Sequence, residues 1–302
     1  MGGAETRVLA CGALAAALAL AMPALASANP APFSITKGVK VSTTDPTTLV
    51  IDCPRGATAL AGAVVSTSTG VTPRDSMPTD SPRWVFRFTA LAGSPNPRAR
   101  ASVRCLRLDP APGVRRWKLG NFTGTRTVRV AALATRRVRV RCLSGYVATG
   151  YGISRTGTGP VGPLPSGDIR VAAAIPSPSG FTFRLENPGG AMVRATARVR
   201  CLSRMASAKR NGATVVQRFE TRRARFSDQV KSGGSQVVRH RCPSGHYSFA
   251  GGLSLTAADD IFSTGAHASG RRGGSWSFDH PAGKAQRVRT YLTCLSLRTG
   301  FR

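Results

Sequence analysis

Acidic residues are scarce in this chain. Of 302 residues only 13 are Asp or Glu, against 43 Lys or Arg, which gives a formal net charge of +30 at pH 7. This imbalance excludes a charge-balanced cytosolic enzyme as the default. Lysine is also rare, with six residues against 37 arginines. Because arginine binds phosphate or carboxylate in a bidentate fork, its excess suits anion recognition. A GC-rich genome would produce the same excess without any ligand.

Aromatic residues and long apolar runs are few as well. Aromatics make up 6% of the chain. After the N-terminus no stretch approaches the roughly 20 apolar residues of a membrane-spanning helix, so we expect no spanning segment in the mature chain. The chain does contain 41% hydrophobic residues, 33 glycines and 20 prolines. This composition supports packed cores with frequent turns, and it favours short strands over long helices.

The N-terminal 28 residues have the features of a secretory signal peptide. Arg7 lies in a short head, residues 8–22 form an uncharged run rich in alanine and leucine, and Pro23 ends that run. Small residues then provide the pattern that signal peptidase accepts, so we expect cleavage before Asn29. The mature protein is then secreted or associated with the cell envelope.

Six cysteines remain once Cys11 of the leader is removed, an even number that favours disulfides in an exported protein. The first cysteine of each successive pair opens a turn (CPRG, CLSG, CPSG), and the second closes an apolar stretch (VRCL, VRCL, LTCL). We expect three bridges: Cys53 with Cys105, Cys142 with Cys201, and Cys242 with Cys294. The cysteines lack the short C-x-x-C spacing that organises a zinc site, so we expect no metal and no cofactor.

Other landmarks recur in step with the cysteines, which indicates an internal repeat. A glycine-containing apolar stretch follows each turn, and an aromatic-x-Phe stretch (WVF, FTF, WSF) precedes each second cysteine. The resulting division is a signal peptide at 1–28, a linker at 29–36, a first unit at 37–107, a linker at 108–123, a second unit at 124–203, a linker at 204–213, a third unit at 214–298 and a tail at 299–302.

The residues before the cysteines alternate between arginine and small or apolar residues. Along 98–105, for example, three arginines share one face while alanine, valine and cysteine share the other. A period of two indicates half-buried strands with the disulfide on the inner face. The expected fold class is therefore all-β: three tandem antiparallel units, each a sandwich-like pair of sheets or a small barrel, each with one internal disulfide.

These motifs together resemble the repeats of a family of cysteine-paired β-repeat proteins secreted by high-GC Gram-positive bacteria. The motifs are the turn after the first cysteine, the glycine-rich strand, the aromatic-x-Phe strand and the strand ending in the second cysteine, and the resemblance covers most of residues 45–298. That family has no established biochemical role. The resemblance therefore implies export and a β-repeat fold, and it implies no active site.

The arginine faces are the candidate binding site. If the cysteine faces point inward, the arginines point outward, and the few acidic residues cannot neutralise them. An extracellular polyanion, such as a wall polymer, an acidic polysaccharide or DNA, would relieve that repulsion, and no motif for sequence-specific nucleic-acid recognition is present. The candidate anion-binding residues are Arg98, Arg100, Arg104, Arg137, Arg139, Arg141, Arg198, Arg200, Arg239, Arg241, Arg287 and Arg289. The alternative is a structural or protein-interaction module whose charge is compositional.

An enzyme is the third hypothesis, and it depends on histidines of the last unit. The four histidines of the chain are His240, His246, His267 and His280. A hydrolytic pair can be drawn with Asp259, Asp260 or Asp279, although neither an HExxH nor a GxSxG motif occurs. His240 falls on the inward face of its strand, where we expect a packed, hydrogen-bonded core histidine. We therefore expect a protein without catalytic residues.

Overall fold

The protein is all-β, as the sequence predicts. The computed structural model describes residues 29–79, 82–109, 114, 116–156, 169–210, 213–255, 262–280 and 283–298. All paired strands in these ranges are antiparallel. No helix capable of crossing a membrane occurs among the described residues. The expected signal peptide and the C-terminal tail lie outside them.

Eighteen strands make up the described chain, and we number them in chain order. They are β1 Asn29–Lys40, β2 Thr47–Asp52, β3 Ala57–Thr67, β4 Val71–Pro78, β5 Arg83–Ala90, β6 Arg98–Asp109, β7 Lys118–Val130, β8 Ala134–Arg141, β9 Tyr146–Thr156, β10 Arg170–Ser177, β11 Gly180–Asn187, β12 Val193–Arg210, β13 Ala213–Val230, β14 Gly234–Arg241, β15 Tyr247–Leu255, β16 Phe262–Ser269, β17 Gly273–His280 and β18 Gln286–Arg298.

The same strand order occurs in three successive blocks of six strands, which we call block 1 (β1–β6), block 2 (β7–β12) and block 3 (β13–β18). In block 1 the sheets run β1-β6-β3 and β2-β5-β4. Block 2 has β7-β12-β9 and β8-β11-β10, and block 3 has β13-β18-β15 and β14-β17-β16. Each block therefore has two sets of three paired strands, with the sixth strand central in one set and the fifth central in the other; both sets of block 2 are continuous with β13-β18-β15 in one nine-stranded sheet.

The blocks contact one another in a closed cycle. Strand β4 of block 1 lies against β9 of block 2, β10 of block 2 pairs with β15 of block 3, and β16 of block 3 lies against β3 of block 1. The third and fourth strands of each block, one from each of its sheets, thus face the neighbouring blocks. The last residues of β12 also continue into β13 as an antiparallel hairpin, from Met205 opposite Arg218 to Arg210 opposite Ala213.

One disulfide lies inside each block, with the expected pairing. The Cα atoms are 5.8 Å apart in Cys53–Cys105 and 5.7 Å apart in both Cys142–Cys201 and Cys242–Cys294. Each bridge joins the turn after the second strand to the sixth strand, so it connects the two sheets of its block. A bridge closing a loop of this length stabilises the fold by about 4 kcal/mol in the loop-entropy account.

The core of each block is organised around the aromatic residue of its fifth strand. In block 1 the indole ring of Trp84 lies directly over Gly62, where a Cβ atom would overlap the ring. In block 2 the position equivalent to Gly62 is Tyr151, because each of these residues pairs with the valine two residues before the second cysteine of its block. The smaller Phe181 takes the place of the tryptophan. The two rings of block 2 are 5.0 Å apart at their centroids. Block 1 thus combines a glycine with the large indole ring, and block 2 combines the Tyr151 ring with the smaller Phe181 ring. The two combinations fill a similar volume of core.

The predicted linker at 29–36 is wrong, because these residues form most of β1. Phe33 and Ile35 pack against the core of block 1, and the strand pairs with β6 along its whole length. Pro30 and Pro32 lie within β1, which is an edge strand. An edge strand tolerates proline because one side of it has no ladder of hydrogen bonds to satisfy.

The other two predicted linkers also contain strand residues. Residues 204–210 form the end of β12, and β13 begins at residue 213. Of residues 108–123, the first two belong to β6 and the last six to β7. Trp117 beside β7 is 7% exposed and belongs to the core of block 2, consistent with packing rather than ligand stacking.

Two glycines permit the close approach of neighbouring blocks. A Cβ atom on Gly152 of β9 would overlap the carbonyl oxygen of Ser76 in block 1. A Cβ atom on Gly252 of β15 would overlap the carbonyl oxygen of Ala174 in block 2. Because the obstructing atoms belong to the backbone, no side-chain rotation could make room for a larger residue.

The Gly152→Ala variant tests this contact. We expect a loss of about 1–3 kcal/mol in the free energy of unfolding, because the added methyl group separates two packed strands. Gly190→Ala is the matched control, since a Cβ atom there meets nothing within 4 Å, and it should change stability by less than about 0.5 kcal/mol. Urea denaturation measures both. Equal stability of the two variants would show that blocks 1 and 2 do not meet at Gly152.

Candidate functional site

Ten of the twelve arginines predicted to bind anions are exposed or half-exposed. Eight are exposed and two, Arg198 and Arg289, are half-buried. The exposed residues lie on the sixth strands and on two second strands of the blocks. They are Arg98, Arg100, Arg137, Arg139, Arg141, Arg239, Arg241 and Arg287.

Strand β8 of block 2 presents the densest of these rows. Arg137, Arg139 and Arg141 alternate with the buried Val138 and Val140. The strand is the last of its sheet, and Arg126 of β7 reaches across to it, where its Nη1 donates to the carbonyl oxygen of Arg139 at 3.4 Å. The carboxylates of the described residues form no ion pair with the three arginines of β8.

Strand β14 repeats this arrangement in block 3. Arg239 and Arg241 are exposed on the first strand of the β14-β17-β16 sheet. They lie opposite Ser275 and Gly273 of β17, which carry no charge. Block 1 lacks the feature. Its equivalent positions, three residues and one residue before Cys53, are occupied by Val50 and Asp52, respectively. Exposed second-strand arginines are thus a property of two blocks and not of all three.

The ion pairs that do form lie elsewhere. Arg83 contacts Asp52 at 2.8 Å and Arg107 contacts Asp109 at 3.0 Å, both on the surface of block 1. In block 2, Arg184 contacts Glu186 at 3.3 Å. These pairs consume acidic residues without neutralising the rows on β8 and β14.

The outward placement predicted for Arg104 and Arg200 is wrong. Arg104 is 3% exposed and Arg200 is 0% exposed. The Arg104 Nε donates to the Ser248 carbonyl oxygen at 3.2 Å, and its Nη2 donates to the Arg271 carbonyl oxygen at 2.9 Å. Both acceptors belong to block 3, so Arg104 joins block 1 to its neighbour. Burial lowers the pKa of Arg104 to about 10, which leaves the guanidinium charged at neutral pH.

Arg200 has the same role between blocks 2 and 1. Its Nη1 donates to Asn121 Oδ1 at 3.0 Å, and its Nη2 donates to the carbonyl oxygen of Thr79 in block 1. In block 3 the equivalent position, one residue before the cysteine, is Thr293. Arg223, directly opposite on β13, supplies the guanidinium instead, and its Nη1 donates to the Pro176 carbonyl oxygen of block 2 at 2.6 Å.

The alternation therefore identifies the correct face but not its surroundings. The face that carries the arginines points out of its own block, and near the cysteine the next block covers it. In block 1, Arg98 and Arg100 are exposed, whereas Ser102 and Arg104 on the same face are buried. The sequence pattern describes one block at a time and contains no signal for the contact between blocks.

The described residues of block 3 do not assemble the histidine site of the enzyme hypothesis. Asp279 accepts a hydrogen bond from Ser235 Oγ, and His280 Nε2 contacts the carbonyl oxygen of Lys284 at 2.8 Å. Asp259 and Asp260 lie outside the described residues. Within the described ranges no group of three or more His, Cys, Asp or Glu side chains could hold a metal ion.

The histidine–aspartate contact that does form is one that sequence analysis missed. His240 Nε2 lies 2.9 Å from Asp228 Oδ2, and the imidazole stacks on the Phe226 ring with centroids 3.8 Å apart. His240 is thus the packed, hydrogen-bonded histidine expected from its place on the strand. Asp228 is on β13, whose polar sequence gave no indication that it faces β14.

A cavity of about 630 Å³ lies where the three blocks meet. Its walls come mainly from the third and fourth strands of every block, with Ser102 and Arg104 of β6, and are mostly apolar. Representative apolar residues are Val64 and Val71 of block 1, Ile153 of block 2, and Phe249 and Leu253 of block 3. No sequence motif indicated this cavity, because each block supplies only one part of its wall.

Comparison with known proteins adds no assignment. No protein-family model matches the chain, and no curated protein matches it.

The variant Arg200→Met tests the buried contact between blocks 1 and 2. It should lower the free energy of unfolding by about 1–3 kcal/mol, because it leaves the buried Thr79 carbonyl and the Asn121 amide oxygen without their charged donor. Arg198→Met, two residues earlier on the same face, is the matched control and should cost less than about 1 kcal/mol. Chemical denaturation measures both, and equal losses would contradict the buried position of Arg200.

Stability should also fall at mildly acid pH. Burial, with a smaller effect of the nearby Arg239 charge, lowers the pKa of His267 below its ordinary value of 6.5. Unfolding therefore takes up a proton in this range, so stability is full above about pH 6.5 and declines as the pH falls toward the lower native pKa. His267→Gln should reduce the loss in urea midpoint between about pH 7.5 and pH 5. An unchanged loss would contradict the burial of His267.

Proposed function

We propose that this protein is secreted or attached to the cell envelope, lacks catalytic activity, and binds extracellular polyanions through exposed arginines on its strands. The observation that carries the proposal is the row formed by Arg137, Arg139 and Arg141, which no carboxylate of the described residues neutralises. Three disulfides are consistent with an extracellular location. We also propose that the three blocks are copies of one repeat, two of which present exposed arginines on the second strand.

The spacing of the row supports a linear polyanion as the ligand. Alternate residues of a strand are about 7 Å apart, which is less than the Debye length of about 8 Å at physiological salt. The potentials of successive guanidinium groups therefore add. Each group can also hold a phosphate, sulfate or carboxylate in a two-point hydrogen bond. Such binding depends on charge density rather than on the sequence of the polymer, and wall polymers, acidic polysaccharides and DNA all meet this condition.

A second function is favoured by the place of these arginines in their sheets. Both β8 and β14 are edge strands. Charged residues on an edge strand prevent it from pairing with a sheet of another molecule. On this account the arginines protect a structural or protein-interaction module from aggregation, and the high charge is compositional. A hydrolase in block 3 is the third and weakest candidate, because the described histidines do not contact Asp279.

Retention on immobilised heparin and poly(glycerol phosphate) distinguishes the first two functions. The wild-type protein should elute at a salt concentration that reflects many neutralised charges, with log K falling linearly as log salt rises. Arg139→Gln/Arg141→Gln should reduce that slope by about two. The matched control is Arg83→Gln/Arg107→Gln, which removes the same charge from arginines already paired with Asp52 and Asp109.

The control variant should retain nearly the wild-type slope, because its two arginines are already paired with acids. Equal reduction of the slope in both double variants would show that only net charge matters and would favour the compositional account. A retention that does not respond to salt, or no retention at low salt, would contradict polyanion binding altogether.

A further inference from the structure

The central cavity has the size and lining of a small-molecule site. Its volume of about 630 Å³ falls within the range of about 300–1,000 Å³ that is typical of such pockets. Apolar side chains and backbone form most of the wall. Polar groups are fewer, and among the described residues most of the ionisable ones are cationic: the lining includes Arg74, Arg104, Arg155, Arg170 and His267, together with the acidic Asp75.

Arg104 is a buried cation in this wall without a carboxylate partner among the described residues. Its Nη1 donates to Ser34 Oγ at 3.2 Å, and its Nε and Nη2 donate to the carbonyl oxygens of Ser248 and Arg271. These three neutral acceptors use three of the five guanidinium N–H groups, so two remain. A buried charge balanced only by neutral dipoles is costly, and a bound anion would reduce that cost.

The acidic residue of the wall cannot provide that balance. Asp75 is 5% exposed and its carboxylate is already occupied. Its Oδ2 lies 3.5 Å from Arg87 Nη1, and its Oδ1 accepts the Arg155 backbone N–H at 2.9 Å. Asp75 therefore does not balance the charge of Arg104.

His267 provides a second polar position in the wall. Its Nδ1 is buried and has no hydrogen-bond partner among the described residues. Burial lowers the pKa of His267, so the imidazole is neutral at neutral pH and one ring nitrogen can donate to an acceptor. A buried nitrogen without a partner is uncommon in native proteins, and a ligand acceptor would satisfy it.

We propose that the cavity binds a small amphipathic anion, namely a monocarboxylic acid with an extended apolar body of the fatty-acid type. The carboxylate would accept hydrogen bonds from the free N–H groups of Arg104, and the apolar body would lie along Val64, Ile153 and Leu253. A purely apolar ligand would leave the guanidinium uncompensated, and a polyanion would not fit the apolar walls. The site is distinct from the exposed arginine rows and does not rest on the function proposed for them.

Calorimetric titration of the oxidised, full-length mature protein with dodecanoate tests the proposal. Dodecanol and dodecyltrimethylammonium, which have the same chain with a neutral or cationic head, are the comparison ligands. We expect saturable binding of one dodecanoate per chain, with an affinity roughly tenfold or more above that of either comparison ligand. Excess heparin should not displace dodecanoate, because heparin would occupy the exterior.

Three variants locate the site. Ala63→Phe fills the cavity from β3 and should abolish binding, while Arg104→Met should weaken dodecanoate roughly tenfold or more and leave dodecanol unchanged. Arg100→Met is the matched control, since Arg100 lies on the same strand and face but is exposed and outside the cavity. It should bind as the wild type does. If Arg104→Met fails to fold, Ala63→Phe and the three ligands still decide the question.

The proposal is overturned by any of three results. The first is no saturable binding of dodecanoate to the wild type. The second is equal affinity for the three head groups. The third is binding that Ala63→Phe leaves intact or that heparin displaces, since either would place the ligand on the exterior arginines.

Discussion

Hydrogen bonds from arginine guanidinium groups to main-chain carbonyls join the three blocks; Arg104 and Arg200 are buried, and Arg223 is exposed. Arg104 of block 1 bonds block 3, Arg200 of block 2 bonds block 1, and Arg223 of block 3 bonds block 2. Each block thus donates to the one beside it, and the cycle closes. Disulfides and aromatic cores stabilise the blocks individually, and these polar contacts act together with the β10–β15 pairing and the β12–β13 hairpin to join the blocks. The central cavity lies where the joined blocks meet.

The excess of arginine therefore has two different physical roles. Where the sixth strands leave the contact between blocks, their arginines are exposed, as Arg98 and Arg100 are, and they add to the positive potential of the surface on which the proposed polyanion binding depends. Where the same face enters the contact, guanidinium groups are desolvated and replace water with backbone oxygens. An arginine suits both places because its five donors can be satisfied by several carbonyls at once, whereas a lysine ammonium would offer three.

The sequence was sufficient for the local structure. Alternation of apolar residues with arginine predicted the strands, and the turn motifs predicted which cysteines pair. It was insufficient where the signal depends on two blocks. Arg104 and Arg200 have the same alternation as Arg98, and only the neighbouring block makes them buried. The linker predicted at 29–36 is the edge strand β1, because a sequence does not reveal which segment pairs at a sheet edge. The Asp228–His240 contact and the cavity also join residues from different strands. The spacing of these residues along the sequence does not show that the strands lie close together.

Modification of native arginines by phenylglyoxal, quantified residue by residue with peptide mass spectrometry, tests the central claim most directly. The reagent needs access to the guanidinium group, so it reports burial at each position in one experiment. With disulfides intact, Arg104 and Arg200 should be protected while Arg100, Arg139 and Arg239 react, and the protection should disappear on unfolding. Reaction of Arg104 and Arg200 at the rate of Arg100 in the native protein would show that the blocks are not joined through these residues.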